Sequence, residues 1–266
     1  MLQNGMNLMG MRETRFVAGN LIFSLKSYAT LPSTNALAYQ QALSGAAEGT
    51  VILSETQTAG KGRLGRTWFS PAKTNIYASL ILRPNIHPQY ASQIPLFIGI
   101  AVQQAISSHI PSAKLKWPND ILVGERKICG ILCEMRAQAE KVDFVVVGMG
   151  INVNQTKEDL EETIGSIATS ILMETGLTVA REELLKKVLA RVAELYYRYQ
   201  RFGFAPLKGE WLSLSNMEGK MVAVAMKDVM VKGRVVGIDD SGSLICRGIS
   251  DELIVISAGD ATIIKE

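Results

Sequence analysis

Histidine and cysteine are scarce in this chain of 266 residues, which contains two histidines and three cysteines. Neither His87 nor His109 is spaced with the cysteines as in a zinc site, and neither lies in a triad-like motif. The cysteines, Cys129, Cys133 and Cys246, are odd in number, which argues against a disulfide framework. We expect reduced thiols that fill core space, and histidines that lie in loops or at the surface.

The chain also lacks long apolar runs, a signal peptide and a strong net charge. No apolar stretch approaches the roughly 18 residues that cross a bilayer, and the N-terminus lacks a charged region followed by a continuous apolar one. We therefore expect a cytoplasmic protein, with residues 1–20 as a leader of no predicted structure. The net charge of +3 is too small to favour bulk nucleic-acid binding, so any basic site must be local.

Between residues 21 and 215, the pattern alternates between predicted strands and predicted helices. Strands are predicted over residues 20–28, 50–55, 75–82 and 142–154, with two more on either side of a turn at 124–126. Helices are predicted after residue 35 and over residues 90–109, 157–176 and 181–202. Residues 216–266 contain only short strands and turns, which is typical of a small SH3-like β-barrel. We expect Trp211 to pack where these two domains meet.

One stretch, residues 56–71 (TQTAGKGRLGRTWFSP), concentrates glycines, cations and aromatic residues. Glycine frees the backbone to adopt positive φ and to lie close to a ligand. The guanidinium groups of Arg63 and Arg66 suit bidentate contacts with phosphate or carboxylate, and the face of Trp68 can cover a base or an apolar ring. We expect a loop that holds an anion with an aromatic part attached.

The same letters fit two phosphate-binding templates, G-x-G-x-x-G and, with one mismatch, the P-loop. Both templates need a helix to begin at the last glycine, Gly65, so that its N-terminus can bind phosphate. The sequence Arg-Thr-Trp-Phe-Ser-Pro that follows does not look like a first helical turn. A basic surface turn without a ligand also stays open.

Three further motifs have simple structural explanations as well as functional ones. The tripeptide Ser33-Thr34-Asn35 precedes an alanine-rich run and is explained by helix capping alone. Lys116 and Asp120 flank a polar turn, where Mg²⁺ and phosphate could meet, since Mg²⁺ prefers carboxylate and phosphate oxygens. Glycines 148 and 150 interrupt a strand, either as a bulge or where a ligand contacts the backbone.

Together these motifs resemble those of the biotin protein ligases (biotin–[acetyl-CoA-carboxylase] ligases). The resemblance extends from about Leu21 to the C-terminus. It rests on four motifs in matching order: Ser33-Thr34-Asn35; Gln57 with Gly60-Lys61-Gly62-Arg63-Leu64-Gly65-Arg66 and Trp68; Lys116-Trp117-Pro118-Asn119-Asp120 with Arg126, Lys127 and Gly130; and Gly148-Met149-Gly150-Ile151-Asn152.

The resemblance implies an α+β fold, in which helices flank a mixed, mostly antiparallel sheet of the class II synthetase-like kind, followed by the small SH3-like β-barrel. It implies an enzyme that uses ATP to activate biotin as biotinyl-5′-AMP, with release of pyrophosphate. Biotin then passes to a lysine of the biotin carboxyl carrier domain of a carboxylase. Mg²⁺ is expected with ATP, neither DNA nor membrane is expected, and the chain is expected to be a monomer or a homodimer. This chemistry needs no enzyme nucleophile, which agrees with the scarcity of histidine and cysteine.

The resemblance also assigns roles by position. The catalytic cations are expected to be Arg63, Lys127 and Lys61. Biotin is expected to contact Ser33, Thr34, Asn35, Gln57, Gly62, Arg63, Lys127 and Gly130. The nucleotide is expected to contact Arg66, Trp68, Lys116, Asn119, Asn152, Gly148 and Gly150. Asp120 is expected to bind Mg²⁺.

Two departures from the family pattern matter. Lys61 stands where the family loop commonly has arginine, which keeps the charge but replaces a bidentate fork by a point charge. The larger family members also carry an N-terminal helix-turn-helix, for which the roughly twenty residues before the first predicted strand are too few. We therefore expect the ligase-only form.

Three alternatives stay open. A lipoate or octanoate ligase of the same architecture would not need the Ser33-Thr34-Asn35 and Gln57 set. A non-catalytic biotin-binding protein would bind biotin without releasing pyrophosphate. A nucleic-acid-binding regulator would show salt-dependent affinity for DNA.

Overall fold

The computed structural model describes residues 6–7, 11–160, 167–226 and 229–264. The larger sheet contains nine described strands, which are β1 (Met6–Asn7), β2 (Met11–Ala18), β3 (Leu21–Leu31), β4 (Thr50–Gln57), β5 (Ile76–Leu82), β6 (Lys114–Lys116), β7 (Asp120–Val123), β8 (Arg126–Gln138) and β9 (Lys141–Ile151). Their spatial order is β1-β2-β3-β4-β5-β9-β8-β7-β6. The described α-helices are α1 (Thr34–Leu43), α2 (Ile94–Ile106), α3 (Ile171–Thr175), α4 (Arg181–Phe202) and α5 (Ala205–Leu214).

The sheet is mixed and mostly antiparallel. Strands β3 and β4 pair in parallel, with α1 as the crossover between them. The other described pairs in this sheet are antiparallel. The predicted α+β fold is therefore confirmed.

Both faces of the sheet are covered by helices. Because successive side chains of a strand point to opposite faces, neighbouring residues of the central strands enter different cores. Ile52, Ile81 and Val146 pack with Ala38 and Ala42 of α1. The main core, which includes the buried residues of α2 and α4, takes the alternate strand positions Val51, Leu80, Leu82, Val145 and Val147.

Helix α4 has the predicted bounds, residues 181–202. Its buried residues recur at the spacing of one helix face, from Leu184 to Tyr199, and acidic residues occupy the first turn, where they favour the helix dipole. The helix ends at Gly203, whose φ of 71° belongs to the left-handed region. This helix packs against α2 and closes one side of the sheet.

A second, antiparallel sheet follows α5. Its strands are β10 (Met221–Met226), β11 (Val229–Ile238), β12 (Leu244–Arg247), β13 (Leu253–Ile256) and β14 (Asp260–Ile263), in the order β13-β12-β11-β10-β14. The small C-terminal β domain is therefore confirmed, and an SH3-like closure of its sheet stays a prediction. Trp211 is buried in α5, which contacts both α2 and β11.

Several predicted boundaries differ from the structure. Residues 11–18 were expected in the leader but form β2, because their alternating side chains pair with β3. Of the predicted helix 157–176, the structure shows Ile171–Thr175 as helical and residues 157–160 and 167–170 as non-helical, and residues 161–166 lie outside the described part. Helix α5 and strand β14 had no sequence prediction. Among the described residues, no helix is long and apolar enough to span a membrane.

Candidate active site

The glycine-rich loop follows β4 and folds back on itself. The Gly62 N–H donates to the Arg66 carbonyl oxygen at 2.7 Å. Leu64 and Gly65 adopt left-handed φ angles of 54° and 74° within a single 3₁₀ turn, and Arg66 is already extended. No α-helix begins at Gly65, so both phosphate-binding templates are excluded. A Cβ at Gly60 would overlap the Trp68 carbonyl oxygen, so this closure requires glycine there.

A hydrogen-bond network joins the start of α1 to β4 and β5. Gln57 Oε1 accepts from the Thr34 N–H at 2.8 Å and from Thr34 Oγ1 at 3.1 Å. Gln57 Nε2 donates to Ser70 Oγ at 2.9 Å, and Ser79 Oγ donates to Thr34 Oγ1 at 2.8 Å. The backbone donor of Thr34 fixes which end of the Gln57 amide carries oxygen. The cavity wall therefore presents donors and acceptors in defined positions.

The neighbours of Thr34 have mainly structural partners. Ser33 caps α1, since its Oγ accepts from the Ala36 N–H at 3.4 Å. Asn35 Nδ2 donates to Glu134 Oε2 at 2.8 Å, and Asn35 Oδ1 accepts from Ser79 Oγ at 2.6 Å. The Asn35 amide thus orders the wall of the cavity, and its direct contact with a ligand stays a prediction.

Arg63 ties the glycine-rich loop to both sheets. Its guanidinium donates to Asn119 Oδ1 at 2.9 Å and to the Gly259 carbonyl oxygen at 3.1 Å. The same group lies 3.3 Å from the Asp260 carboxylate, whose other oxygen lies 2.8 Å from Arg66. The C-terminal sheet therefore supplies an acid to the loop.

A second group of cations surrounds Asp120. Lys127 Nζ lies 2.6 Å from Asp120 Oδ1 and 5.3 Å from the ring centroid of Trp68. Lys116 Nζ lies 4.0 Å from Asp120 Oδ2. Burial lowers the pKa of Lys116, and Lys127 adds to this lowering while Asp120 opposes it. Lys61 is more exposed and lies 4.0 Å from Glu134.

Three of the four glycines predicted to contact a ligand also make room for protein side chains. A Cβ at Gly130 would lie 2.8 Å from the Trp68 ring, and one at Gly150 would overlap that ring. A Cβ at Gly148 would overlap the Asn35 side chain. Glycine is therefore required at these positions by packing, whatever the ligand contributes.

The site contains one cavity of about 420 Å³, a size typical of small-molecule sites. Every residue with a predicted role lines it, namely Ser33, Thr34, Asn35, Gln57, Lys61, Gly62, Arg63, Arg66, Trp68, Lys116, Asn119, Asp120, Lys127, Gly130, Gly148, Gly150 and Asn152. The cavity combines a hydrogen-bonding wall, a tryptophan and two clusters of cations.

Comparison with known proteins agrees with this geometry. Residues 27–152 match the model of the biotin/lipoate A/B protein ligase family, and residues 219–262 match the biotin protein ligase C terminal domain. The biotin–[acetyl-CoA-carboxylase] ligase of Paracoccus denitrificans is 34% identical over 85% of this chain and 95% of its own length. The chain belongs to the biotin/lipoate A/B protein ligase family.

Other family members differ in length or share mainly the fold. The bifunctional ligase/repressor BirA of Bacillus spizizenii is 37% identical over 81% of this chain, but the match spans only 66% of that protein. The biotin protein ligase of Aquifex aeolicus in complex with biotin and ATP aligns with a TM-score of 0.77. That alignment covers 91% of this chain and 99% of the Aquifex chain at 29% identity.

Several residues of the family site were missed by the sequence analysis. Ser70 and Ser79 complete the Thr34–Gln57 network, and Asp260 holds the two loop arginines. Tyr77 and Gln155 also line the cavity. None of them lies in a motif of the pattern, and only the alternation of β5 indicates that Tyr77 and Ser79 share a face.

The described residues do not include a group of three or more histidine, cysteine or acidic side chains that could hold a metal ion. Asp120 is one carboxylate, and both of its partners are lysines. This donor set fits a Mg²⁺ ion that a nucleotide brings, since Mg²⁺ is often held by one or two carboxylates plus phosphate oxygens. It does not fit a metal site built from protein ligands alone.

The cysteines are free and take no part in the chemistry of the site. Cys129 and Cys246 are buried, and Cys133 is half-buried. Desolvation raises the pKa of Cys133 to about 12, so its thiol stays protonated and is a poor nucleophile. His87 is exposed and His109 lies in a turn, as predicted.

Proposed function

We propose that this member of the family is an ATP-dependent biotin–[acetyl-CoA-carboxylase] ligase. The observation that carries the proposal is that the Thr34–Gln57 network and the cations Arg63 and Lys127 face the same cavity. The network suits a small ring with donors and acceptors at fixed positions, such as the ureido ring of biotin. The cations suit a carboxylate and a phosphate that must approach each other.

In the first step, an oxygen of the biotin carboxylate attacks the α-phosphorus of ATP. A new P–O bond forms, the bond to the β-phosphate oxygen breaks, and pyrophosphate leaves with that electron pair. Both reactants are anions, so Arg63 and Lys127 offset their repulsion and stabilise the charge on the phosphate oxygens. Lys61 and Arg66 lie on the same glycine-rich loop as Arg63 and also bind phosphate oxygens. The product is biotinyl-5′-AMP.

In the second step, the amine of a carrier lysine attacks the acyl carbon of biotinyl-5′-AMP. An amide bond forms, the C–O bond to phosphate breaks, AMP leaves with that electron pair, and the nitrogen loses one proton to solvent. No protein nucleophile is needed, and the rate comes from positioning and electrostatics. Trp68 covers the adenylate, while Lys116, Asn119 and Asn152 contact the nucleotide.

Recognition of biotin rests on Ser33, Thr34 and Gln57. A site that pairs its polar groups with a ligand rejects analogues that leave those groups unpaired. Lipoate has no ureido ring, so its ring would lie against the polar Thr34–Gln57 wall without forming the hydrogen bonds that a ureido ring forms there. The wall thereby selects biotin over lipoate.

Mg²⁺ would accompany ATP and be held through Asp120 together with phosphate oxygens, where it supplies a Lewis acid. The Asp120 carboxylate also fixes Lys127 through their contact at 2.6 Å. Asp120 thus places a cation on the phosphate side of the cavity, whether that cation is the lysine or the metal.

The remaining proposals concern context. The catalytic domain includes β2 and extends to residue 215, and residues 216–266 form a C-terminal domain that contributes Asp260. The partner is the biotin carboxyl carrier domain of a carboxylase in the cytoplasm, and the chain acts as a monomer or homodimer without binding DNA or membrane.

The test is exchange of labelled pyrophosphate into ATP by the purified chain. We expect exchange with biotin and Mg²⁺, none without biotin, and little with lipoate or octanoate. Exchange with lipoate alone would replace this proposal by a lipoate ligase. Biotin binding without exchange would identify a non-catalytic biotin-binding protein.

A further inference from the structure

Gln155 is a deeply buried amide of the cavity that the mechanism above does not use. Its exposed fraction is 2%, and it lines the cavity. Its side-chain Oε1 accepts from Asn75 Nδ2 at 2.7 Å, and its backbone carbonyl oxygen accepts from Ser170 Oγ at 2.5 Å. The Nε2 group, in contrast, is buried without a hydrogen-bond partner among the described residues.

The orientation of the Gln155 amide follows from a backbone group. The N–H of Val153 donates to Asn75 Oδ1 at 2.9 Å, so the other end of the Asn75 amide must be the nitrogen. That nitrogen donates to Gln155 Oε1, and therefore Gln155 Nε2 is the end that lacks an acceptor. Exchanging the two ends of the Gln155 amide would place two nitrogens 2.7 Å apart.

An unpaired buried donor is unfavourable, and folded proteins contain few of them. Such a group in a ligand cavity is explained when a ligand supplies the missing acceptor. Asn152, which we expect to contact the nucleotide, already uses its amide nitrogen within the protein. Its Nδ2 donates to the Thr169 carbonyl oxygen at 2.9 Å and lies 3.4 Å from the Lys127 carbonyl oxygen. Among the described residues, Gln155 is thus the amide side chain at this end of the cavity whose nitrogen, Nε2, has no hydrogen-bond acceptor.

The position along β5 indicates which part of the ligand Gln155 would meet. Ser79 belongs to the Thr34–Gln57 network, and Tyr77 shares its face of the strand two residues earlier. Asn75, the partner of Gln155, lies two residues earlier again, roughly 13 Å from Ser79 at the rise of an extended strand. Gln155 therefore lies by the start of β5, whereas Ser79 of the Thr34–Gln57 network lies at the middle of that strand.

We propose that Gln155 Nε2 donates a hydrogen bond to a ring nitrogen of the adenine of ATP. The inference rests on the proposed function, because it assumes that a nucleotide occupies this end of the cavity. Adenine carries three ring nitrogens with a free lone pair (N1, N3 and N7), so the base supplies the acceptor that the protein lacks.

The test is equilibrium binding of ATP and of 1-deaza-, 3-deaza- and 7-deaza-ATP, measured by calorimetry with the full chain in the absence of biotin, so that no adenylate forms. Each analogue replaces one ring nitrogen by C–H. We expect one analogue to bind about tenfold more weakly than ATP, as for the loss of one hydrogen bond in a buried site. Equal binding of all four nucleotides would overturn the proposal without any variant.

A variant then links the lost nitrogen to Gln155. In Gln155→Met, ATP should bind about as weakly as the discriminated analogue, with no further loss when that nitrogen is removed. Gln155→Glu keeps an oxygen for Asn75 and should behave likewise above its pKa, should the methionine variant fail to fold. If a folded Gln155 variant still bound ATP more tightly than the deaza analogue, by the same factor as the wild type, the proposal would be contradicted.

The matched control is Gln103→Met. Gln103 is also buried and donates through Nε2 to the Ala113 carbonyl oxygen at 3.0 Å, but it lies in α2 and does not line the cavity. This variant should keep the wild-type discrimination. Because nucleotide binding is read directly, failure of this inference would appear as ATP binding without discrimination. Failure of the proposed function would appear as absent pyrophosphate exchange.

Discussion

Replacing Arg63 by alanine removes the cation that connects the loop, Asn119 and the C-terminal sheet. The side chain is about a quarter exposed (25%) and makes contacts of 2.9, 3.1 and 3.3 Å with Asn119, Gly259 and Asp260. If Arg63 stabilises the charge on the α-phosphate, its loss should slow biotinyl-adenylate formation far more than it weakens biotin binding.

The size of the effect follows from what Arg63 would contact. Removing one preorganised donor from a site of developing negative charge lowers turnover by about 10²–10³, or about 2.7–4 kcal/mol. In the proposed site the ring of biotin is held elsewhere, by the Thr34–Gln57 network, so the dissociation constant of biotin should rise by about tenfold or less. Arg66 is 70% exposed, and pairs of this kind contribute about 0.2–1 kcal/mol, so Arg66→Ala should lose less than tenfold.

The assay is pyrophosphate exchange at saturating biotin, with calorimetry for the affinity of biotin. Arg191→Ala is the matched control, since its guanidinium lies on the exposed side of α4 and pairs with Glu194 at 2.8 Å. It should keep wild-type exchange. Equal losses in exchange and in biotin binding for Arg63→Ala would refute the role at the phosphate. If exchange in Arg66→Ala were as low as in Arg63→Ala, the assignment of the phosphate role to Arg63 in particular would be refuted.

Three further variants test other contacts. Thr34→Val keeps the shape but removes the hydroxyl, and should raise the KM for biotin about 10–100-fold in the exchange assay; an unchanged KM would exclude Thr34 from the biotin wall. Trp117→Phe removes the hydrogen bond from the buried Nε1 to the Gly242 carbonyl oxygen at 3.0 Å and should lower Tm by about 2–4 °C; an unaltered melting curve would contradict this. Asp260→Asn should speed tryptic cleavage of the loop several-fold, because both arginines lose their carboxylate. Asp240→Asn, whose exposed carboxylate pairs with a surface lysine, should leave the digestion rate unchanged.

The helical core was predictable because its pattern is local. The apolar residues of α4 recur on one side of the helix, and Gly203 ends it in the left-handed region. Strand β14 was not predicted, since its four residues carry no extended alternation and it is defined by pairing with β10. Likewise, β2 is a strand because β3 offers it a partner, rather than because of its own composition.

The candidate site divides in the same way. The glycine-rich loop was identifiable because glycine, arginine and tryptophan stand close together in the sequence, and their chemistry does not depend on distant residues. Asp260 was not identifiable, because it meets Arg63 from far along the chain; the adjoining contact of Arg63 with Gly259 has a sequence separation of 196. The free donor of Gln155 is also invisible in the sequence, since it depends on which atoms surround the amide.

The sequence by itself determined the order of strands and helices over most of the chain and the residues of the main motifs. Backbone freedom, helix periodicity and side-chain charge act within a few neighbouring positions, so they can be seen in a single chain. Only the tertiary structure decided that the C-terminal sheet supplies Asp260, that glycines 130 and 150 admit Trp68, and that Gln155 keeps an unpaired donor. These features depend on distances between segments far apart in the chain, and such distances are fixed only when the two sheets pack together.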